Sequence, residues 1–153
     1  MKIGLLCVGK LSQPFLRDGV AEYAGRLQRY TAFSCAEIKE ARGGARAMRD
    51  QEGERLLARV PEKAFLVALD EKGQRFRSEQ LAGFLEEHML RGTAELLFVI
   101  GGAYGFSDRV RQRADLLLAL SSLTLTHQMA RLLLLEQLYR GFTIVRNEPY
   151  HNR

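Results

Sequence analysis

A chain of 153 residues, 46% hydrophobic and 27% charged, has the composition of one globular domain large enough for its own core. Its 23 Lys+Arg against 18 Asp+Glu leave a net charge of +5, which suits a polyanionic partner such as RNA. No stretch approaches the roughly 18 apolar residues of a membrane span. The apolar start MKIGLLCVGK is too short for a signal peptide and has no small-residue cleavage site behind it, so the expected location is cytoplasmic.

Strand-like and helix-like segments alternate along the chain. Residues 3–8 read as a strand, and 14–30 as a helix that opens on Pro14, a residue helix starts accept. Residues 33–38 read as a second strand. A basic, glycine-containing loop over 39–46 precedes a charged helix to about residue 59, and this region carries Lys39, Arg42, Arg46 and Arg49. Residues 64–69 form a third strand closed by the turn Asp70-Glu71-Lys72-Gly73. Ser78 is a suitable N-cap for a helix to residue 89. A fourth strand over 96–100 leads to a short helix capped by Ser107, with Arg109, Arg111 and Arg113 as a second basic cluster. Residues 116–120 form a fifth strand, and 128–143 the last helix. Short apolar strands separated by helices predict a single α/β domain over 1–153, with a mostly parallel sheet covered on both faces.

The last helix is apolar over most of its circumference, with Glu136 and Arg140 placed to pair at i,i+4. Such a helix must be buried on more than one side. One side is expected to face the sheet and another a second copy of the chain, giving a homodimer. Cys7 and Cys35 show no CxxC spacing and read as small core residues. His88, His127 and His151 lie far apart without ligand spacing, so no metal is expected.

Two loops offer chemistry at strand ends. Gly101 and Gly102 follow the fourth strand directly, and Gly105 comes soon after. Glycines there permit either a tight turn or close approach of a ligand to the main chain. The spacing is neither GxGxxG nor a P-loop. The loop from Ser121 to Thr126 mixes hydroxyls with Leu120, Leu123 and Leu125, a composition that suits a flat heterocycle read by main-chain groups. Thr126 is equally suited to cap the last helix.

These residues carry a family resemblance. The segments KIGLLCVGK, LDEKG at 69–73, FVIGGAYGF at 98–106, LSSLTLTHQMAR at 120–131, LEQLYR at 135–140 and NEPYH at 147–151 resemble, in order and spacing, the ribosomal RNA large-subunit methyltransferase H family of the SPOUT superfamily. The resemblance implies methylation of N3 of a pseudouridine in 23S rRNA with S-adenosylmethionine, a C-terminal trefoil knot and a homodimer. It places cofactor contacts on Leu69, Gly101 and the run Leu120, Ser121, Ser122, Leu123, Thr124 and Leu125. Ala103 stands where many relatives have proline, which leaves the loop freer without removing an evident contact.

Methyl transfer of this kind needs the donor and acceptor held in line and a weakly acidic proton removed; neither a metal nor a covalent nucleophile is required. His127 titrates near neutrality when unperturbed, and it serves equally well as a structural residue of the helix start. Tyr150, His151 and Arg153 in the tail are candidates to hold a base and a phosphate, in the partner subunit's site. The alternative reading is a ribosome-associated RNA-binding protein that keeps the fold without the chemistry. A dinucleotide-dependent oxidoreductase is disfavoured, because only Gly9 follows the first strand.

Overall fold

The computed structural model describes residues 1–152. Five parallel strands form one sheet in the order β2-β1-β4-β3-β5. They are β1 (Lys2–Val8), β2 (Ala32–Ile38), β3 (Phe65–Arg75), β4 (Glu95–Ile100) and β5 (Leu116–Ala119). The helices are α1 (Pro14–Leu27), α2 (Ala45–Leu57), α3 (Ser78–Arg91), α4 (Asp108–Arg113) and α5 (His127–Val145).

The pleat sends alternate side chains to opposite faces, and both faces are covered. Ile3, Leu5 and Cys7 of β1 join Leu96, Phe98 and Ile100 of β4 beneath α1, α3 and α5. Leu6, Val8, Leu97 and Val99 point the other way, toward Leu56 of α2 and Val110 of α4. The steps from β1 to β2 and from β3 to β4 run over the first face, and the opposite steps run over the second. All four crossovers therefore share one hand, the right-handed one that strand twist favours.

Several sequence expectations change. The third strand does not end at residue 69. It pairs with β5 at Leu69↔Leu118, leaves the ladder over residues 70–73, and resumes at Gln74↔Leu118. Ser78 is the first helical residue rather than the cap: Arg77 holds that position, and its N–H donates to Gln80 Oε1 at 2.7 Å. Cys7 is buried as expected, but Cys35 is exposed on the edge strand β2.

The last helix changes most. None of residues 127–145 is exposed in the single chain. The helix lies between α1 and α3 on the sheet, which covers much of its apolar circumference within the chain and leaves Leu132, Leu133 and Tyr139 half-buried. Leu134, an interface candidate on sequence grounds, is 0% exposed in the core. Glu136 and Arg140 do pair, at 2.7 Å. The helix stops before Pro149 is reached. Asn147 takes φ 54°, its N–H donates to the Ile144 carbonyl at 3.0 Å, and the Glu148 N–H donates to the Thr143 carbonyl at 2.8 Å. This is a Schellman termination with asparagine in the left-handed position.

Candidate active site

The carboxyl ends of β3, β4 and β5 are neighbours in the sheet, and a cavity of about 600 Å³ opens beyond them. Its apolar wall is Leu69, Ile100, Leu118, Leu120 and Leu125, and its rim carries loops 70–73, 101–106 and 120–126. This is where an open parallel sheet leaves a crevice for a ligand.

The glycine loop is a tight turn and a close-packed wall at once. Gly105 has φ +78°, and its N–H donates to the Gly102 carbonyl at 3.1 Å. Gly101 and Gly102 have ordinary φ, and space is what makes them glycines. A Cβ on Gly101 would lie 3.2 Å from the Phe106 ring and 3.3 Å from the Gly105 carbonyl. One on Gly102 would lie 2.8 Å from Glu52 Oε1.

The loop before α5 is held from two directions. Ser121 Oγ accepts the Leu123 N–H at 2.9 Å, and Thr124 Oγ1 donates to Glu71 Oε2 at 3.4 Å. Thr126 caps α5 by accepting the Met129 N–H at 3.1 Å. Of the residues expected to hold a cofactor, Leu69, Gly101, Leu120, Ser121, Leu123, Thr124 and Leu125 line the crevice. Ser122 does not: its hydroxyl accepts from the Arg75 guanidinium instead.

His127 begins α5 and also lines the crevice. Its Nδ1 is buried without a hydrogen-bond partner among the described residues. Burial lowers its pKa, the Arg131 cation lowers it further, and Glu40 and Glu52 offset this in part. The ring is therefore neutral near pH 7.

Four functional-looking residues escape sequence reasoning. Arg131, 2% exposed, donates to the Gly9 carbonyl at 2.6 Å and pairs with Glu37, locking the start of α5 to the end of β1. Glu52, 3% exposed, accepts the Ala41 N–H at 3.1 Å and backs Gly102. Asp70 and Arg111 form an ion pair across the crevice rim. Each pairing spans residues distant in the chain, so no local spacing signals it.

The tail lies elsewhere. Tyr150 packs edge-on to Tyr139 at 4.7 Å between ring centroids and lies beneath the Arg140 guanidinium. His151 Nε2 lies 2.6 Å from Glu79 Oε1, and its Nδ1 lies 3.0 Å from Arg140 Nη1. The α5 residues contacted, Tyr139 and Arg140, lie 12 and 13 residues past His127, about 18–20 Å along the axis at the helical rise of 1.5 Å per residue, and neither Tyr150 nor His151 lines the crevice. Arg153 lies outside the described residues. No group of three or more His, Cys, Asp or Glu able to hold a metal occurs among the described residues. No described helix is long and apolar enough to cross a membrane.

The parallel sheet with a crevice beyond β3, β4 and β5 defines an α/β protein with a strand-end ligand site. The family model "Predicted SPOUT methyltransferase" matches residues 1–151. The chain is 59% identical to "Ribosomal RNA large subunit methyltransferase H" of Syntrophotalea carbinolica, over 100% of both chains. It is 52% identical to the protein of that name from Geotalea uraniireducens, over 99% of this chain and 100% of that one. The crystal structure of tRNA (m1G37) methyltransferase from Aquifex aeolicus aligns with TM-score 0.55 at 14% identity, over 100% of this chain and 77% of that one; that likeness concerns the fold. The chain belongs to the SPOUT methyltransferases, in the ribosomal RNA large-subunit methyltransferase H family. The activity that goes with this membership is S-adenosylmethionine-dependent methylation of ribosomal RNA.

Proposed function

We propose that the chain methylates N3 of a pseudouridine in 23S rRNA, on an assembled ribosomal particle in the cytoplasm, acting as a homodimer. The observation that carries the reading is the meeting of Leu69, Gly101 and the 120–125 loop around one crevice with His127 at its edge.

The crevice fits the cofactor's chemistry. Leucine side chains offer an apolar bed, and the close-packed glycines keep the wall flat. S-adenosylmethionine supplies an activated methyl group when bound. Leu69, Gly101, Leu120, Ser121, Leu123, Thr124 and Leu125 would hold it, and Ser122 would act only by fastening the loop through Arg75. His127, neutral and lining the crevice, would accept the proton from N3. The Asp70–Arg111 pair would keep the 70–73 rim in place.

Tyr150, His151 and Arg153 would serve the crevice of the partner. Tyr150 and His151 do not line their own crevice, and the tail's docking on Tyr139, Arg140 and Glu79 fixes where the chain leaves the domain. A trefoil knot belongs to the same reading. It is supported by the excursion of β3 over 70–73 beside β5, and by the return of α5 across the sheet to α1 and α3.

Two measurements test the function. Calorimetry with S-adenosylmethionine should give binding in the presence of a chelator, and Gly101→Val should abolish it. Mass spectrometry of 23S rRNA from cells with and without the gene should show one methylpseudouridine lost. Cofactor binding with no change in the RNA would leave the site standing and remove the substrate assignment. Ribosome binding without cofactor binding would favour the non-catalytic RNA-binding alternative.

A further inference from the structure

A second cavity, of about 780 Å³, opens beside the crevice and shares Lys72, Tyr104, Phe106 and Arg111 with it. Folding builds it from basic segments far apart in the chain: Arg46 and Arg49 come from α2, Lys72 from the excursion of β3, and Arg109 and Arg111 from α4. Five cations thus face three carboxylates, Asp50, Glu54 and Asp108. Arg109 is paired with Glu54, and Arg111 with Asp70. Arg46, Arg49 and Lys72 take part in none of the ion pairs among the described residues.

Not every basic residue of the two sequence clusters belongs here. Arg113 is spent on structure: it donates to the carbonyls of Pro61, Glu62 and Ala64 and pairs with Asp115. Lys39 and Arg42 do not line the cavity. What remains is a positive pocket sized for a small ligand. At its border with the crevice stands Tyr104, an aromatic side chain 52% exposed.

We propose that this second cavity is the subsite for the RNA nucleotide next to the methylated one. Arg46, Arg49 and Lys72 take its phosphate, and the Tyr104 ring stacks on its base. The proposal rests on the RNA methyltransferase reading and deepens it. A base that reaches the cofactor at the crevice mouth must leave its stack, so its neighbour is also unpaired or strained. Single-stranded RNA is held through phosphate charge and base–aromatic stacking. The shared wall puts a ligand of the second cavity directly beside the cofactor crevice, to whose mouth the target nucleotide must come to meet the methyl group.

The test uses large ribosomal subunits lacking the modification. Arg46→Ala with Arg49→Ala, in one full-length chain, should weaken subunit binding about tenfold or more while leaving S-adenosylmethionine affinity unchanged. It should flatten the log–log salt dependence by up to about 0.7, the contribution of one single-strand phosphate contact. Arg59→Ala with Lys63→Ala removes the same charge from exposed positions between α2 and β3, at the amino end of the sheet, and is the control. Tyr104→Ala should raise KM for subunits by about fivefold or more, and Tyr104→Phe should restore it. Equal weakening in the α2 pair and the control would reduce the cavity to diffuse charge and overturn the proposal. So would an α2 pair that shifts the oligomeric state in sedimentation, because the cavity would then be a contact between chains. A wild-type chain that neither binds cofactor nor methylates subunits would bring down the enzyme reading itself, whereas unaffected variants of an active enzyme bring down only the subsite.

Discussion

Gly73 lies flat against the main chain of Leu117, so that a Cβ built on it would stand 2.5 Å from the Leu117 carbonyl carbon and 2.7 Å from the Leu118 nitrogen. Main chain in a sheet cannot swing aside as a side chain can. The contact is what lets β3 leave its ladder at Leu69 and rejoin it at Gln74 while β5 runs past. Gly73→Ala should therefore act as overpacking, at a cost of about 1–3 kcal/mol, or roughly 3–10 °C of Tm in a domain of this size. Cofactor affinity should fall with it, because Leu69, Leu118 and Leu120 flank the contact. Thermal unfolding and calorimetry check both. A variant with wild-type Tm and affinity would mean that the excursion moves freely.

The tail separates chemistry from binding. Deleting residues 150–153 should leave S-adenosylmethionine affinity near wild type and greatly reduce methyl transfer. Action across subunits is read from a heterodimer in which one chain lacks the tail and the other carries Gly101→Val. The intact tail then faces the intact crevice, so the heterodimer should be active while both homodimers are inactive. Full activity of the truncated homodimer would exclude any role for these residues.

Leu134 is buried in the core, so Leu134→Glu should place an unpaired carboxylate among Leu85, Phe98 and Leu138. Burial of that kind costs several kcal/mol, and the expected result is failure to fold rather than a folded monomer. Sedimentation of soluble, folded Leu134→Glu would show that the α5 packing described here is not the one in solution.

Acid should destabilise the fold through two histidines. Burial lowers the pKa of His88, 1% exposed and packed on Phe65 and Phe84, and it lowers that of His127. The unfolded imidazoles titrate near 6.5, so below that pH the unfolded chain takes protons that the folded chain refuses. Stability is fully present above about pH 6.5 and falls as pH drops toward the lowered values. Urea midpoints at pH 7.5 and pH 5 should differ for the wild type. They should differ less for His88→Gln, which keeps a partner for Thr93. An unchanged pH dependence in that variant would remove His88 as a cause.

Local pattern determined much of this protein. Alternating apolar segments set the five strands and the parallel sheet, because burial on both faces demands strands of that composition. Thr126 and Ser107 were legible as helix caps, and each accepts the expected main-chain N–H. The ordered segments from LDEKG to NEPYH identified the family and, through it, most of the crevice wall. What escaped the sequence depends on which distant segments meet. The all-round apolar surface of α5 does not say whether its second neighbour is another chain or, as found, α1 and α3 of its own. The basic clusters did not show that Arg46 and Arg49 would face Arg109 and Arg111 while Arg113 turned to structure. Nor could the tail's docking be read from residue order: only the turn after α5, which folds the chain back, puts His151 on Arg140 and Glu79 and outside the lining of its own crevice.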